Sequence, residues 1–582
     1  MKSYVRVDEA VDERKAENSK SRGVLTVLTS ILLLAAHVFV AVEASVGSNA
    51  DDNRHHHSWK TVSKVANSVC SKTRYPQRCV SSMASYPAYQ TAKLGDLTNV
   101  ALQVSMQRAQ KARDFTLGLQ NNVMNERERA AWQDCLELFE DTIERLNVCS
   151  SNGFLEKDSP VWLSAALTNQ ETCLNGFRDL NLSASNPIQA FMASRAVNLS
   201  ELVSNSLSMY KLSTMPTITG NNRRLLSLKN NEEGDFYSNY GRLNDDGFPE
   251  WLSVGDRKLL QSSSPANQAN VVVAQDGSGN YRTISQAINA VPQKSSKRYI
   301  IYIKAGTYKE NIDISKQITN LMLVGDGKDK TIVTGSKSVQ DGVTTFKTAT
   351  VAVSGNGFIA RDMTFENTAG AAKHQAVALR IGSDLSAVYR CSIKGYQDTL
   401  YVYSLRQFYR EVDIYGTVDF IFGNAAVVIQ NSNIIARRPM SNQQNTLTAQ
   451  GRSDPNENTG ISIHKCVVSA SSDLQAVKGS IKTYLGRPWK EYSRTVFMQS
   501  TLGDLIDPAG WLPWSGNFAL STLYYGEYMN SGAGAGTSKR VNWPGYHVIT
   551  SATEASKFTV ANFISGTSWI PATGITYTSG LN

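Results

Sequence analysis

A chain of 582 residues with 41% hydrophobic and 19% charged residues is too long for one ordinary core and too apolar for a disordered or collagen-like polymer, so two or more globular domains are expected. The net charge of +9 is one-sided: from Gln261 onward there are 30 Lys+Arg and 21 Asp+Glu, whereas the first 260 residues carry 29 of each. A basic surface suits a polyanion, but does not by itself tell nucleic acid from membrane or acidic polysaccharide.

In chain order, the first feature is a mixed-charge segment over residues 1–22, followed by an almost uncharged apolar run from Val24 to Val42, broken only by His37. A run of that length serves either as the hydrophobic part of a signal peptide or as a signal-anchor, so residues 1–45 are expected to direct the chain into the secretory pathway. Five of the seven cysteines follow within the N-terminal part: Cys70, Cys79, Cys135, Cys149 and Cys173. Clustered cysteines in a secreted chain point to disulfides whose pairing spacing alone cannot assign, and no CxxC pair suggests zinc. Two glycosylation sequons begin at Asn181 and Asn198.

Residues 60–212 read as a helical bundle. Trp132, Leu136, Phe139, Ile143 and Leu146 step by four and three, as do Ile188, Met192, Leu199, Val203 and Tyr210 in large part, and Leu97, Val100 and Val104 begin another stripe. A polar linker follows over 213–260. It holds two similar tetrads, Arg223-Arg224-Leu225-Leu226 and Arg257-Lys258-Leu259-Leu260. Dibasic pairs in an exposed secretory linker are expected sites for a processing protease.

From Val271 the pattern changes to brief apolar runs, Val271–Val273, Tyr299–Ile303, Leu321–Val324 and Thr350–Val353, separated by Gly, Asp, Asn and Ser turns. Further strands are expected after Phe358, Ala387, Gln407 and Ala426, at intervals of 29, 20 and 19 residues. Repeats near 20 residues suit a parallel β-solenoid, with a β-sandwich as the other arrangement.

No Gly-x-Ser-x-Gly occurs, and the histidines after Gln261 are His374, His464 and His547, so a serine–histidine triad has little support. Two segments instead set a lone aspartate among aromatic and aliphatic residues: GYQDTLY over Gly395–Tyr401, and GTVDFIFGN over Gly416–Asn424. An ionised carboxylate is costly in such surroundings unless it is paired. Asp398 and Asp419 lie 21 residues apart, about one coil, so a solenoid would stack them as neighbours. Adjacent carboxylates in unequal environments separate their pKa values, leaving one as a nucleophile and the other as an acid.

These two segments, together with YLGRPW over Tyr484–Trp489, resemble the signature motifs of plant pectin methylesterases (pectinesterases). Gly306–Tyr308, Asn367–Gly370 and Gln375–Arg380 are similar to further stretches of that family, and residues 60–212 resemble the pectin methylesterase inhibitor domain that many members carry as a pro-region. The resemblance implies a right-handed parallel β-helix over 261–582 preceded by an all-α four-helix bundle. It implies hydrolysis of galacturonate methyl esters in cell-wall homogalacturonan. Asp419 would be the nucleophile and Asp398 the general acid/base, with Gln397 and Gln375 donating to the oxyanion. Arg487 would orient Asp419, and Trp489 and Thr345 would contact substrate. It implies disulfides Cys70–Cys79 and Cys135–Cys173, with Cys149 free. The cysteine pair common in the family stands here as Val412 and Ser432, so Cys391 and Cys466 are expected as buried free thiols. By the same resemblance the helical domain would keep the enzyme quiet until cleavage near Leu226 or Leu260.

The expected partners are methyl-esterified pectin, the processing protease and a proteinaceous inhibitor, at the cell wall, with the precursor membrane-anchored in transit. No cofactor, metal or nucleic acid is expected, and the chain should act as a monomer. A pectate lyase would need a calcium-binding carboxylate cluster and a polygalacturonase paired acids around a glycosidic bond. A catalytically inactive pectin-binding or inhibitor protein is the remaining alternative.

Overall fold

The computed structural model describes residues 64–84, 86, 93–120, 124–151, 157–182, 187–214 and 268–582. The apolar run of Val24–Val42 and both basic tetrads lie outside these residues. Residues 64–582 form one compact unit with two parts.

The first part is helical: α1 (Lys64–Cys70), α2 (Pro76–Met83), α3 (Leu94–Gly118), α4 (Glu126–Ser151), α5 (Ser159–Asp179) and α6 (Pro187–Thr214). The four long helices α3–α6 pack as a bundle around Trp132, Phe139, Phe177, Met192 and Leu199. On α4 the fully buried face runs through Trp132, Cys135, Phe139, Leu146 and Cys149, while Leu136 and Ile143 are only partly buried beside it. The stripe read from sequence is therefore rotated slightly toward the cysteines.

Cys70 is bonded to Cys79, joining α1 to α2, and Cys135 to Cys173, joining α4 to α5. Cys149, Cys391 and Cys466 are free and buried. Burial pushes each of these three thiols up to about 12, which leaves them unreactive. The Cys135–Cys173 bond closes a separation of 38 residues. Replacing both by alanine is expected to destabilise the bundle by about 3–4 kcal/mol, read as a lower denaturation midpoint.

The second part is a right-handed parallel β-helix. Its strands form three parallel sheets of 11, 7 and 8 strands. Every recorded pairing is parallel, with neighbouring strands about one coil apart in sequence, as in Ala387↔Phe408 and Phe408↔Val428. A parallel sheet needs both faces covered. The inner face is filled by Ile301, Leu323, Val388, Tyr409, Ile429 and Ile463. The outer face of the 11-stranded sheet is covered by the C-terminal segment, where Val560, Ile564, Trp569 and Ile570 pack on Phe408 and Val428. The helix Ile284–Asn289 contributes Ile284, Ala287 and Ile288 to the same interior, closing the N-terminal end of the solenoid. This core is drawn wholly from residues 271–546, so the β-helix carries its own interior.

The seven-stranded sheet positions the site. Its strands are β1 (Ile312–Ile314), β2 (Val351–Val353), β3 (Leu379–Ile381), β4 (Leu400–Val402), β5 (Ile421–Gly423), β6 (Asn445–Gln450) and β7 (Thr483–Gly486). Their register aligns Asp313, Ala352, Arg380, Tyr401, Phe422 and Ala449 in one row across the sheet. Helices α4 and α5 lie on this sheet, and Phe346, Tyr401, Tyr403, Phe422 and Trp489 share one apolar cluster with Leu138, Leu163 and Leu167 of the bundle.

Candidate active site

Asp398 and Asp419 occupy the same place in successive coils, each two residues before its strand, β4 or β5, with Leu400 paired to Ile421. The Asp398 N–H donates to the Val418 carbonyl at 3.1 Å, joining the two turns directly. Both aspartates take left-handed backbone conformations, with φ of 61° and 51°. Aspartate tolerates that region better than most residues, and such strain is held where surrounding structure enforces it. The glycine three residues earlier leaves room for the tight turn: a Cβ on Gly395 would lie 2.7 Å from Thr399 Oγ1, and one on Gly416 would collide with the Phe420 side chain. The repeated Gly-x-x-Asp is thus one turn built twice.

The two carboxylates meet different surroundings. Arg487 grips Asp419 at two points, Nε to Oδ1 at 2.8 Å and Nη2 to Oδ2 at 2.6 Å, and the Thr446 hydroxyl donates to Oδ1 at 2.6 Å. Such a two-point pair fixes both position and plane. Trp514 backs the guanidinium, its ring centre 4.4 Å from Arg487 Cζ. Asp398 is buried to the same degree as Asp419, and burial first, then the charges of Asp419 and Asp179, push its carboxyl well above the ordinary range against the pull of Arg487. One site therefore holds a carboxylate fixed by an arginine beside a carboxyl that favours its proton.

The pair sits in a cavity of about 420 Å³, whose lining includes Thr345, Gln375, Gln397, Phe422, Arg487 and Trp489. All seven site residues read from sequence, Asp398 and Asp419 among them, converge there. Gln397 has a buried side-chain oxygen with no hydrogen-bond partner. Gln375 and Gln397 sit in adjacent coils, the Ala376 N–H donating to the Gln397 carbonyl at 3.2 Å. Trp489 meets the edge of Phe422 at 5.9 Å, and Phe422 stacks on Tyr401 at 4.1 Å, giving a continuous aromatic floor. Gly451 lies under Trp489, where a Cβ would fall 2.9 Å from the indole. The Val412 N–H donates to Ser432 Oγ at 3.2 Å, so the positions of the family's cysteine pair are neighbours joined by a hydrogen bond. Asn181 is exposed just beyond α5, and Asn198 lies on α6 with its side-chain oxygen accepting from Arg78 at 2.6 Å. Among the described residues no group of three or more His, Cys, Asp and Glu is arranged to hold a metal ion.

Sequence reasoning missed the contribution of the helical part. Thr172, Asn175, Gly176 and Asp179 of α5 also line the cavity. Asp179 ends its helix and its carboxylate accepts from the Thr345 N–H at 3.1 Å, on a residue read as a substrate contact. An aspartate at a helix C-terminus opposes the macrodipole, and that misplacement was the available signal. Thr446, Phe422 and Tyr401 were also missed as site residues, although the last two stand inside the quoted motifs.

A family model described as Pectinesterase matches residues 270–567, and one described as Plant invertase/pectin methylesterase inhibitor matches 64–209. Pectinesterase 2 of Citrus sinensis is 53% identical over 517 residues, covering 88% of this chain and 94% of that one. Probable pectinesterase/pectinesterase inhibitor 61 of Arabidopsis thaliana is 50% identical over 526 residues, covering 88% and 87%. The solved structure of a pectin methylesterase from carrot is 63% identical with a TM-score of 0.54, the match covering 55% of this chain and 99% of the carrot chain. A fold, a carboxylate pair and relatives of this closeness agree: the chain belongs to the pectinesterase family, carboxylic ester hydrolases of pectin, with an inhibitor-type helical domain ahead of its β-helix.

Proposed function

We propose that the β-helix removes methyl groups from homogalacturonan by covalent catalysis with Asp419 as nucleophile and Asp398 as general acid/base. The observation that carries this is the contrast between the pair: Asp419 held by the Arg487 fork, Asp398 buried with its carboxyl raised. An Asp419 oxygen attacks the ester carbonyl carbon, and the resulting oxyanion accepts hydrogen bonds from the side-chain amides of Gln397 and Gln375. As the C–O bond to methoxide breaks, Asp398 gives its proton to the leaving oxygen and methanol departs, leaving an acyl-enzyme anhydride. Asp398, now a carboxylate, takes a proton from water as its oxygen attacks the same carbon. Collapse frees the Asp419 carboxylate and the galacturonate acid, with Asp398 protonated again. One residue thus serves as acid and then base. Trp489 and Thr345 bear on the sugar.

Gln397→Ala is expected to lower kcat by about a hundredfold or more with little change in KM, because its donor serves an oxyanion that develops only during reaction. The whole reading is tested by incubating residues 261–582 with methylated pectin and following methanol, acid and chain length. Methanol and acid at constant chain length support it; unsaturated or shortened chains would exclude an esterase in favour of a lyase or hydrolase.

The helical domain is proposed as an internal inhibitor, supported by α5 residues standing in the catalytic cavity. Cleavage at Arg223–Leu226 or Arg257–Leu260 by a secretory-pathway protease would permit its release, with the mature part acting as a monomer at the cell wall. Residues 1–45 would supply the signal or anchor, and Asn181 and Asn198 glycosylation. A separate proteinaceous inhibitor would compete for the same face after release. The excess positive charge of the β-helix favours retention on pectate, which salt should weaken.

A further inference from the structure

The cleft does not stop at the catalytic pair. One coil N-terminal of Tyr401, in register with it, the cleft sheet carries Arg380. That guanidinium is 1% exposed, lies 3.6 Å from the centre of the Phe346 ring, and has an Nε without a hydrogen-bond partner. A buried cation with an uncommitted donor is costly unless an anion completes it. A second cavity of about 290 Å³ opens over Arg380 between the cleft sheet and α4. Phe346 lines this cavity and the catalytic one, so the two are neighbours along the cleft sheet.

The charges across this cavity are complementary. From the β-helix side come Arg380, Lys316 and, at its edge beside Phe346, Lys347, whose Nζ is 5.2 Å from that ring. From α4 come Glu137, Glu140 and Asp141 at the cavity, with Glu144 one turn beyond Asp141. Glu144 pairs with Lys316 at 2.7 Å and Glu137 with Lys347 at 2.5 Å, while Arg145, the cation of α4 here, is taken up by Asp141 at 3.0 Å. The carboxylate that the β-helix itself contributes, Asp313, lies two rungs from Arg380, in the coil that also carries Lys316. With α4 removed, three cations would face a groove that begins at the catalytic aspartates.

We propose that Lys316, Lys347 and Arg380 form an outlying subsite for free galacturonate carboxylates, and that the acidic row of α4 occupies it in the uncut chain in place of that polyanion. The proposal rests on the esterase reading of the neighbouring pair and adds the substrate's charge pattern to it: a methyl ester at Asp419, with already de-esterified residues toward the N-terminal coils. The helical domain then hides the groove by presenting carboxylates at the positions where a polyuronate presents its own.

The test uses residues 261–582, which contain the whole β-helix core and correspond in extent to the separately solved carrot chain. Lys316 and Lys347 keep 35% and 33% of their side chains exposed even under α4, so Lys316→Gln with Lys347→Gln should fold normally. Two readouts are compared with the unsubstituted segment. In calorimetry with fully de-esterified hexagalacturonate, the double variant is expected to bind about tenfold more weakly, the loss of two partly screened ion pairs. In methanol release, kcat/KM on partly de-esterified pectin should fall about tenfold relative to that on fully methylated pectin, through KM. Unaltered hexagalacturonate affinity and an unaltered ratio would overturn the subsite. Absence of methanol release from the unsubstituted segment, with calorimetry still separating the variants, would instead sink the esterase reading alone.

Discussion

Asparagine in place of Asp419 is expected to lower methanol release from methylated pectin by at least about a thousandfold, with the folded structure retained. Loss of a covalent nucleophile in a hydrolase removes about four to six orders of magnitude in well-studied cases, and what remains comes from substrate positioning and the oxyanion donors. The substitution is nearly isosteric. Thr446 can still donate to the side-chain oxygen that replaces Oδ1, and Trp514 still backs Arg487. Arg487 keeps 24% of its side chain exposed, so its orphaned charge can reach water and the fold should survive. Asp398→Asn should be as damaging for the opposite reason, since an amide cannot supply the proton that burial and the neighbouring charges keep on Asp398. The two variants separate in a burst experiment: Asp398→Asn retains a nucleophile and can accumulate acyl-enzyme on an ester with a good leaving group, whereas Asp419→Asn cannot. Equal activity of either variant and the parent on methylated pectin would remove that aspartate from the mechanism.

Much of this site was legible because a solenoid converts sequence distance into spatial adjacency. The 21-residue separation of Asp398 and Asp419 equals the register step between Leu400 and Ile421, so counting along the chain was enough to make them neighbours. Their roles were not legible that way. What distinguishes them is Arg487, 68 residues beyond Asp419, and the resemblance, not spacing, pointed to that arginine. The coil strands were found from β-branched runs, yet the irregular steps along the cleft sheet, from 39 residues between Ile312 and Val351 to 21 between Leu379 and Leu400, hid which residues share the cleft row. Tyr401, Phe422 and Arg380 belong to that row through register alone. The helical residues at the site were invisible for a deeper reason. Periodicity on α5 reports which face is apolar, and Leu163 and Leu167 share their cluster with Phe346 and Tyr403 across the junction as well as with the bundle. No pattern within one helix tells an internal core from a docking face.

That docking face should respond to pH, and a chain cut in its linker is expected to hold its helical part near pH 5 and release it near pH 7.5. Asp134 of α4 is fully buried against the β-helix, accepting a hydrogen bond from the Thr344 hydroxyl. Burial pushes its carboxyl up to about 7, against the pull of Lys347 and of that hydrogen bond. Once α4 leaves, the same carboxyl returns toward the ordinary value near 3.8. A group whose pKa is raised in the closed state stabilises that state fully below its open-state value, and the contribution is lost as pH climbs through the closed-state value. Across that window association should weaken by about tenfold per pH unit, to a total on the order of a thousandfold, and then level off. Asp179, raised chiefly by burial in the closed chain, pushes in the same direction. In the uncut chain the tether keeps the effective concentration at about millimolar, so cleavage and neutral pH should both be needed for full activity. Size-exclusion chromatography of the cut protein at the two pH values, with methanol release measured on each fraction, provides the readout. Asp134→Asn mimics the protonated carboxyl and should keep the parts together at both values, leaving the excised β-helix alone as active as the parent's. Release of the helical part to the same extent at both pH values in the parent, or an undiminished pH slope in Asp134→Asn, would show that the junction is held by its ion pairs, Lys490–Glu171 and Arg406–Asp158 among them, and not gated by this buried acid.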